Sequence, residues 1–223
     1  MTSSKLVKSL RMNGWTWTGK PLGQHAASHL VTMALLIGSA GVGAQGTPGA
    51  NPIANCIECH GTDGLGNEPD FPHLNGMPEH LLKNMLDAFR AGKRPPKVRI
   101  HREIPADDVA LIAKHYAQQK AVRPKSATQP ELVARGESLY QQRCADCHLD
   151  NGRDSDKEAP LTAGQSLPYL VAQTLAYKNG ERKFPYLMDG AYRNLSDEDL
   201  TAIAHFFAAQ DQIAPAQGRR RRR

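Results

Sequence analysis

All four cysteines of the 223-residue chain stand in two copies of one pentapeptide pattern, Cys56-Ile57-Glu58-Cys59-His60 and Cys144-Ala145-Asp146-Cys147-His148, 88 residues apart. Two thiols at this spacing add across the two vinyl groups of a porphyrin, and the histidine that follows reaches its iron from one side. The pattern reads as two covalently attached haem c groups, held by Cys56, Cys59, Cys144 and Cys147, with His60 and His148 as proximal ligands. Two halves of one zinc site are the alternative, yet tetrahedral zinc needs no histidine directly after each second cysteine. A thioredoxin-like redox pair is disfavoured because no βαβ pattern surrounds either copy.

An iron of this kind that only carries electrons takes a second axial ligand, and methionine there raises the potential. Met188 is the candidate for the second haem: it is the one methionine after the second motif, and the irregular stretch from Lys183 to Asn194 can fold over a haem face. The first haem has no such methionine, since the equivalent positions hold Ile100 or Lys97. His101, one residue from Ile100 in the matching loop Pro95–Glu103, is the first choice and would give a bis-histidine iron of lower potential. An open sixth position comes next, followed by Met77, His73 and, if burial removed its proton, Lys97. Met85 reads as a core residue.

The elements that must hold these groups repeat. At an offset of 88, Gly64 meets Gly152, Pro72 meets Pro160, Gly76 meets Gly164, Phe89 meets Tyr177, Gly92 meets Gly180 and Arg94 meets Arg182. At an offset of 91, Asp108 meets Asp199, Ile112 meets Ile203, and Tyr116 meets Phe207. That register is a tandem duplication. Helical periodicity dominates and no alternating strand pattern is evident. Leu81, Leu82, Met85, Leu86 and Phe89 follow Pro78 on one face, and Leu167, Leu170, Val171, Thr174 and Leu175 match them. Closing helices are expected over about Ala106–Gln119 and Asp197–Gln210, the second opened by Ser196 with Asp199 as a capping box. Gln129–Arg143 reads as the opening helix of the second unit, with Pro130 in its first turn; the first unit has only a short version before Cys56.

The expected organisation is an export signal over 1–44, a first domain over 45–119, a polar linker over 120–130, a second domain over 131–212 and an arginine-rich tail over 213–223. Lys5, Lys8, Arg11 and Lys20 precede an apolar run, Leu30–Ala40, that ends at Val42-Gly43-Ala44. The run is short for a membrane span, with an uncleaved anchor as the alternative. Thioether attachment of haem takes place outside the bacterial cytoplasm, so signal and motifs agree on a periplasmic location. Domains this small need their haems as apolar centres. The formal charge of +6 comes from the ends: residues 45–218 hold 19 basic against 22 acidic side chains, a net of −3. Such a body carries no nucleic-acid footprint. Membrane contact is open only to the signal or to Arg219–Arg223.

The whole mature chain resembles the dihaem class I cytochromes of the cytochrome c4 type. The resemblance rests on Cys56–Gly64, on Phe71-Pro72-His73-Leu74-Asn75-Gly76, on Ala88–Pro95 and on Leu195–Leu200. Ala163-Gly164-Gln165-Ser166-Leu167-Pro168-Tyr169-Leu170 makes the second domain similar to the cytochrome subunit of flavocytochrome c sulfide dehydrogenase. The resemblance implies an all-α fold of two tandem class I cytochrome c domains, each wrapped around one covalent haem. Its function would be electron transfer between a redox enzyme and a downstream acceptor, a flavoprotein subunit or a terminal oxidase being the kinds of partner, without bond chemistry of its own. The first distal loop departs from the family, which normally offers methionine there. The competing reading is a catalytic dihaem cytochrome with an open or exchangeable first site.

Overall fold

Among the described residues there are eight short α-helices and one 3-10 turn, and no strand. The computed structural model describes residues 51–154, 159–184 and 188–212. The expected signal and arginine tail lie outside them. No helix among the described residues is long and apolar enough to cross a membrane.

In the first half α1 (Ala54–His60) runs through the haem motif rather than ending before Cys56 as expected. Helix α2 (Glu79–Arg90) follows Pro78, whose extended ψ of 133° sets the entry. A 3-10 turn (Arg99–Arg102) packs back on α2, and α3 (Asp108–Ala117) closes the half. In the second half α4 (Pro130–Arg143) has its proline in the first turn. The single turn α5 (Leu149–Gly152) contains left-handed Asp150 and Asn151. It leads to α6 (Leu167–Lys178), α7 (Met188–Tyr192) and α8 (Asp197–Ala209). Helix α8 starts at the expected capping box: Ser196 Oγ accepts from Asp199 N, and Asp199 accepts from the Ser196 backbone. The α7 turn was not expected; the stretch around Met188 reads as irregular because five residues are too few to show a helical period.

Each half buries its own core. Ile53, Met77, Leu81, Leu82, Ile112, Ala113 and Tyr116 form the first, and Tyr140, Leu170, Leu200, Ile203, Phe206 and Phe207 are central to the second. The duplication repeats bond for bond. Leu74 N donates to Gly64 O and Thr162 N to Gly152 O; Gly76 N donates to Tyr116 O and Gly164 N to Phe207 O. The paired glycines share positive φ angles, 80° and 82° at Gly64 and Gly152 and 67° and 64° at Gly76 and Gly164. Side chains other than glycine pay strain there.

A buried polar seam joins the halves. Arg123 of the linker donates to Asn75 Oδ1 and Asn75 O at 3.3 Å, to Ala163 O at 2.8 Å and to Gln212 Oε1 at 3.2 Å. Gln165 accepts from His73 N at 2.7 Å and donates to His73 O at 2.9 Å. Arg94 donates to Tyr169 Oη and Gln173 Oε1, and its repeat equivalent Arg182 donates to the same Gln173 oxygen at 2.8 Å. Each arginine lies over a ring of its own half, Phe89 at 4.6 Å and Tyr177 at 4.3 Å. The linker is therefore not a loose tether, because side chains of both halves satisfy its backbone and its buried charge.

Candidate haem sites

Helix α1 delivers His60 into the first core, where it is 9% exposed. Its Nδ1 lies 3.4 Å from Pro72 O. With the ring proton on that side, Nε2 keeps its lone pair for a metal. Burial pushes the His60 pKa down to about 4, against the Pro72 bond and with the nearby His101. The neutral, ligating form therefore holds at ordinary pH.

His101 lies close by. The 3-10 turn is too tight to leave a helical signature in sequence, yet it turns this one side chain inward while Arg99, Ile100 and Arg102 stay exposed. The His60 and His101 ring centres are 6.1 Å apart, with planes inclined by 46°. Two imidazoles binding one metal from opposite sides need about 6 Å, from metal–nitrogen bonds of about 2 Å and roughly 1 Å more to each ring centre. His101 stacks on Phe89 at 4.8 Å, and its Nδ1 is buried without a hydrogen-bond partner. A buried imidazole nitrogen left in that state is a donor set awaiting an acceptor. Burial, then the charge of Arg94, lowers its pKa and keeps a lone pair available.

The other first-site candidates take different surroundings. Met77 is 4% exposed in the first core. His73 is buried with Nδ1 on Leu65 O and its backbone bonded to Gln165. Lys97 is exposed. Met85 packs against the first core as expected and accepts a bond from Arg94.

At the second site His148 follows the turn that ends α4, its ring 5.5 Å from Phe207. Tyr140 Oη donates to His148 O at 2.7 Å and accepts from Asn151 N at 2.9 Å, fixing the backbone that carries His148. Met188 is half-buried and opens α7. The residues beside it in sequence, Phe184 and Tyr192, close a ring cluster with Tyr177, at centroid distances of 4.9 and 5.2 Å. That cluster lies beside the short helix that Met188 opens.

The four thiols are half-buried and unbridged. Burial raises the Cys56 pKa and pushes Cys144 up to about 11. A redox-active Cys-x-x-Cys needs the opposite shift. Cys56 packs against the first core and Cys144 against the second, so the pairs do not meet in one zinc site. Among the described residues no three His, Cys, Asp or Glu side chains cluster as a metal site. Thiols beside an inward histidine, in two separate apolar half-domains, fit haem c.

A helical duplication in which each unit carries one thioether motif ending in an inward histidine defines a dihaem c-type cytochrome. Residues 131–207 match the family model described as cytochrome C oxidase, cbb3-type, subunit III. The chain is 28% identical to cytochrome c4 of Azotobacter vinelandii, over 79% of this chain and 96% of the relative. It is 30% identical to the thiosulfate dehydrogenase electron acceptor of Thiomonas intermedia, over 70% of this chain and 79% of that one. The crystal structure of reduced recombinant cytochrome c4 from Pseudomonas stutzeri superposes with a TM-score of 0.61 at 28% identity, covering 71% of this chain and 94% of that chain. The chain belongs to the dihaem class I cytochromes c of the cytochrome c4 type. It is an electron-transfer protein with two covalent haem c groups, and its partners are redox proteins.

Proposed function

We propose that this cytochrome works in the periplasm and carries electrons from a sulfur-compound-oxidising enzyme, of the thiosulfate dehydrogenase kind, to a downstream acceptor through two unequal haem sites. When bound, each haem supplies a one-electron ferric/ferrous couple. Cys56 and Cys59 would hold the first covalently, and His60 and His101 would bind its iron. Cys144 and Cys147 hold the second, with His148 and Met188. Two imidazoles favour the ferric state more than an imidazole and a thioether do, so the first site has the lower potential and the second the higher. Transfer from the first half to the second is then downhill. The polar seam of Arg123, Gln165 and Arg94 fixes the separation across which it occurs.

The observation that carries this reading is the 6.1 Å separation of the His60 and His101 rings, with His101 Nδ1 buried and unpartnered. It also weighs against a catalytic role, because an imidazole this close to His60 would fill an otherwise exchangeable position. His101→Ala tests it. The variant's first haem should bind carbon monoxide when reduced, whereas the wild type should not. A wild-type first haem that takes carbon monoxide readily would remove the bis-histidine assignment.

A further inference from the structure

The segment that carries His101 is chemically unlike its duplicate. Residues 93–106 hold five basic side chains and one acid, Glu103, for a net of +4. The equivalent residues 181–197 hold three basic and three acidic side chains, and each segment is followed by two acids, Asp107 and Asp108 after the first and Glu198 and Asp199 after the second. Since residues 45–218 carry −3 in total and this segment +4, the rest of the body carries −7.

Its side chains divide by role. Arg94 turns in toward Tyr169 and Gln173, and His101 turns in toward Phe89. Lys93, Lys97, Arg99 and Arg102 remain exposed, with Glu103 bound to Arg99 at 3.2 Å as the one acid among them. Between these cations Val98 is 46% and Ile100 41% exposed, two of the five large hydrophobic residues exposed among the described ones. An apolar pair ringed by cations is the composition of an interface with a dry centre and a charged rim. The turn is anchored on α2 by the Phe89–His101 stack, so the patch is presented on a fixed scaffold.

We propose that residues 93–106 form the docking surface for an acidic redox protein at the first site. The proposal rests on the first-site reading above and adds which face the partner takes and what its chemistry is. The positive patch steers an acidic surface toward the first haem and away from the otherwise negative body. Val98 and Ile100 then make the close contact beside His101. The equivalent segment 181–197, the second face, carries no excess positive charge.

The test uses the full chain with both haems and reduced flavodoxin, a small acidic flavoprotein, as the probe. Stopped-flow absorbance follows reduction of the first haem as ionic strength rises. Steered association should slow by about tenfold or more between low and high salt. Lys97→Glu with Arg99→Glu and Arg102→Glu should lower the low-salt rate by about tenfold or more and flatten or invert its salt dependence. Lys183→Glu with Arg193→Glu, on the second face, should leave the rate within about twofold of wild type. Val98→Ser with Ile100→Ser should keep the salt dependence while weakening saturation by flavodoxin. A triple variant that reacts like wild type overturns the proposal, as does an equal effect from the second-face pair. So does a triple variant that loses binding only to phosphatidylglycerol vesicles, which would make the patch a lipid contact. Haem content and the ferric spectrum of each variant report folding and ligation, so failure of the bis-histidine reading shows separately from failure of docking.

Discussion

Gly136→Ala is expected to damage the second half more than any other one-carbon change on α4. An ideal Cβ at Gly136 would lie 2.0 Å from Ala202 O, 2.6 Å from Ala202 C and 2.8 Å from Phe206 Cβ. The first two are backbone atoms of α8, so no side-chain rotation relieves the contact. The helices must move apart by about 1 Å, which unpacks Tyr140 from Phe206, stacked at 4.7 Å, and disturbs the core against which Cys144 rests. Overpacking of this kind costs about 1–3 kcal/mol and more against a rigid wall, offset by about 1 kcal/mol of helix propensity gained. A net loss of about 2 kcal/mol or more should appear in guanidinium unfolding of the holoprotein followed at the Soret band. Gly190→Ala is the control, because nothing lies within 4 Å of its Cβ position in α7. Helix propensity alone should then make it neutral or stabilising by up to about 1 kcal/mol. If Gly136→Ala unfolds at the wild-type midpoint, α4 and α8 do not cross as closely as described and the account of the second core fails.

Met188→Ala should abolish the sulfur-to-iron charge-transfer band and lower one of the two potentials while leaving the other; an unchanged spectrum would make Met188 a packing residue. Stability should also fall on acidification through His205. Its Nδ1 accepts the Gln129 backbone N–H at 3.2 Å, and burial, opposed by Glu131, depresses its pKa below the unfolded value of 6.5. A depressed histidine means that the unfolded state takes the proton more readily, so this contribution is intact above about pH 6.5 and is lost as pH falls below it. Urea midpoints at about pH 7.5 and 5.5 should differ less in His205→Asn, which keeps an acceptor but does not titrate; an undiminished difference would assign the effect elsewhere.

The haem motifs, the duplication and most helices were legible because each leaves a periodic or spaced signature. Pro130, the Ser196/Asp199 box and the stripes of α2, α3 and α8 place those helices within one or two residues. The closing helix of the first half is shorter than its polar and apolar pattern implies: it begins at Asp108 rather than Ala106, just after Pro105, and ends at Ala117. The four-residue 3-10 turn left no periodic trace, yet it decides which residue of 99–102 faces His60. His101 was reached by counting along the duplication; its stacking partner Phe89 and the Pro72 carbonyl behind His60 were not foreseen in those roles. The seam was also invisible. Arg123, Asn75, Gln165 and Gln173 are polar residues whose partners lie in the other half or in the linker, and such contacts follow no local period.

The central claim is that two units of one duplication hold their irons with different ligands. A potentiometric titration of the full-length holoprotein, followed in the visible and near-infrared, tests it most directly. Two well-separated steps are expected: the lower with bis-histidine spectra and no sulfur-to-iron band, the higher with that band. Two similar high potentials, each with a sulfur-to-iron band, would contradict the account.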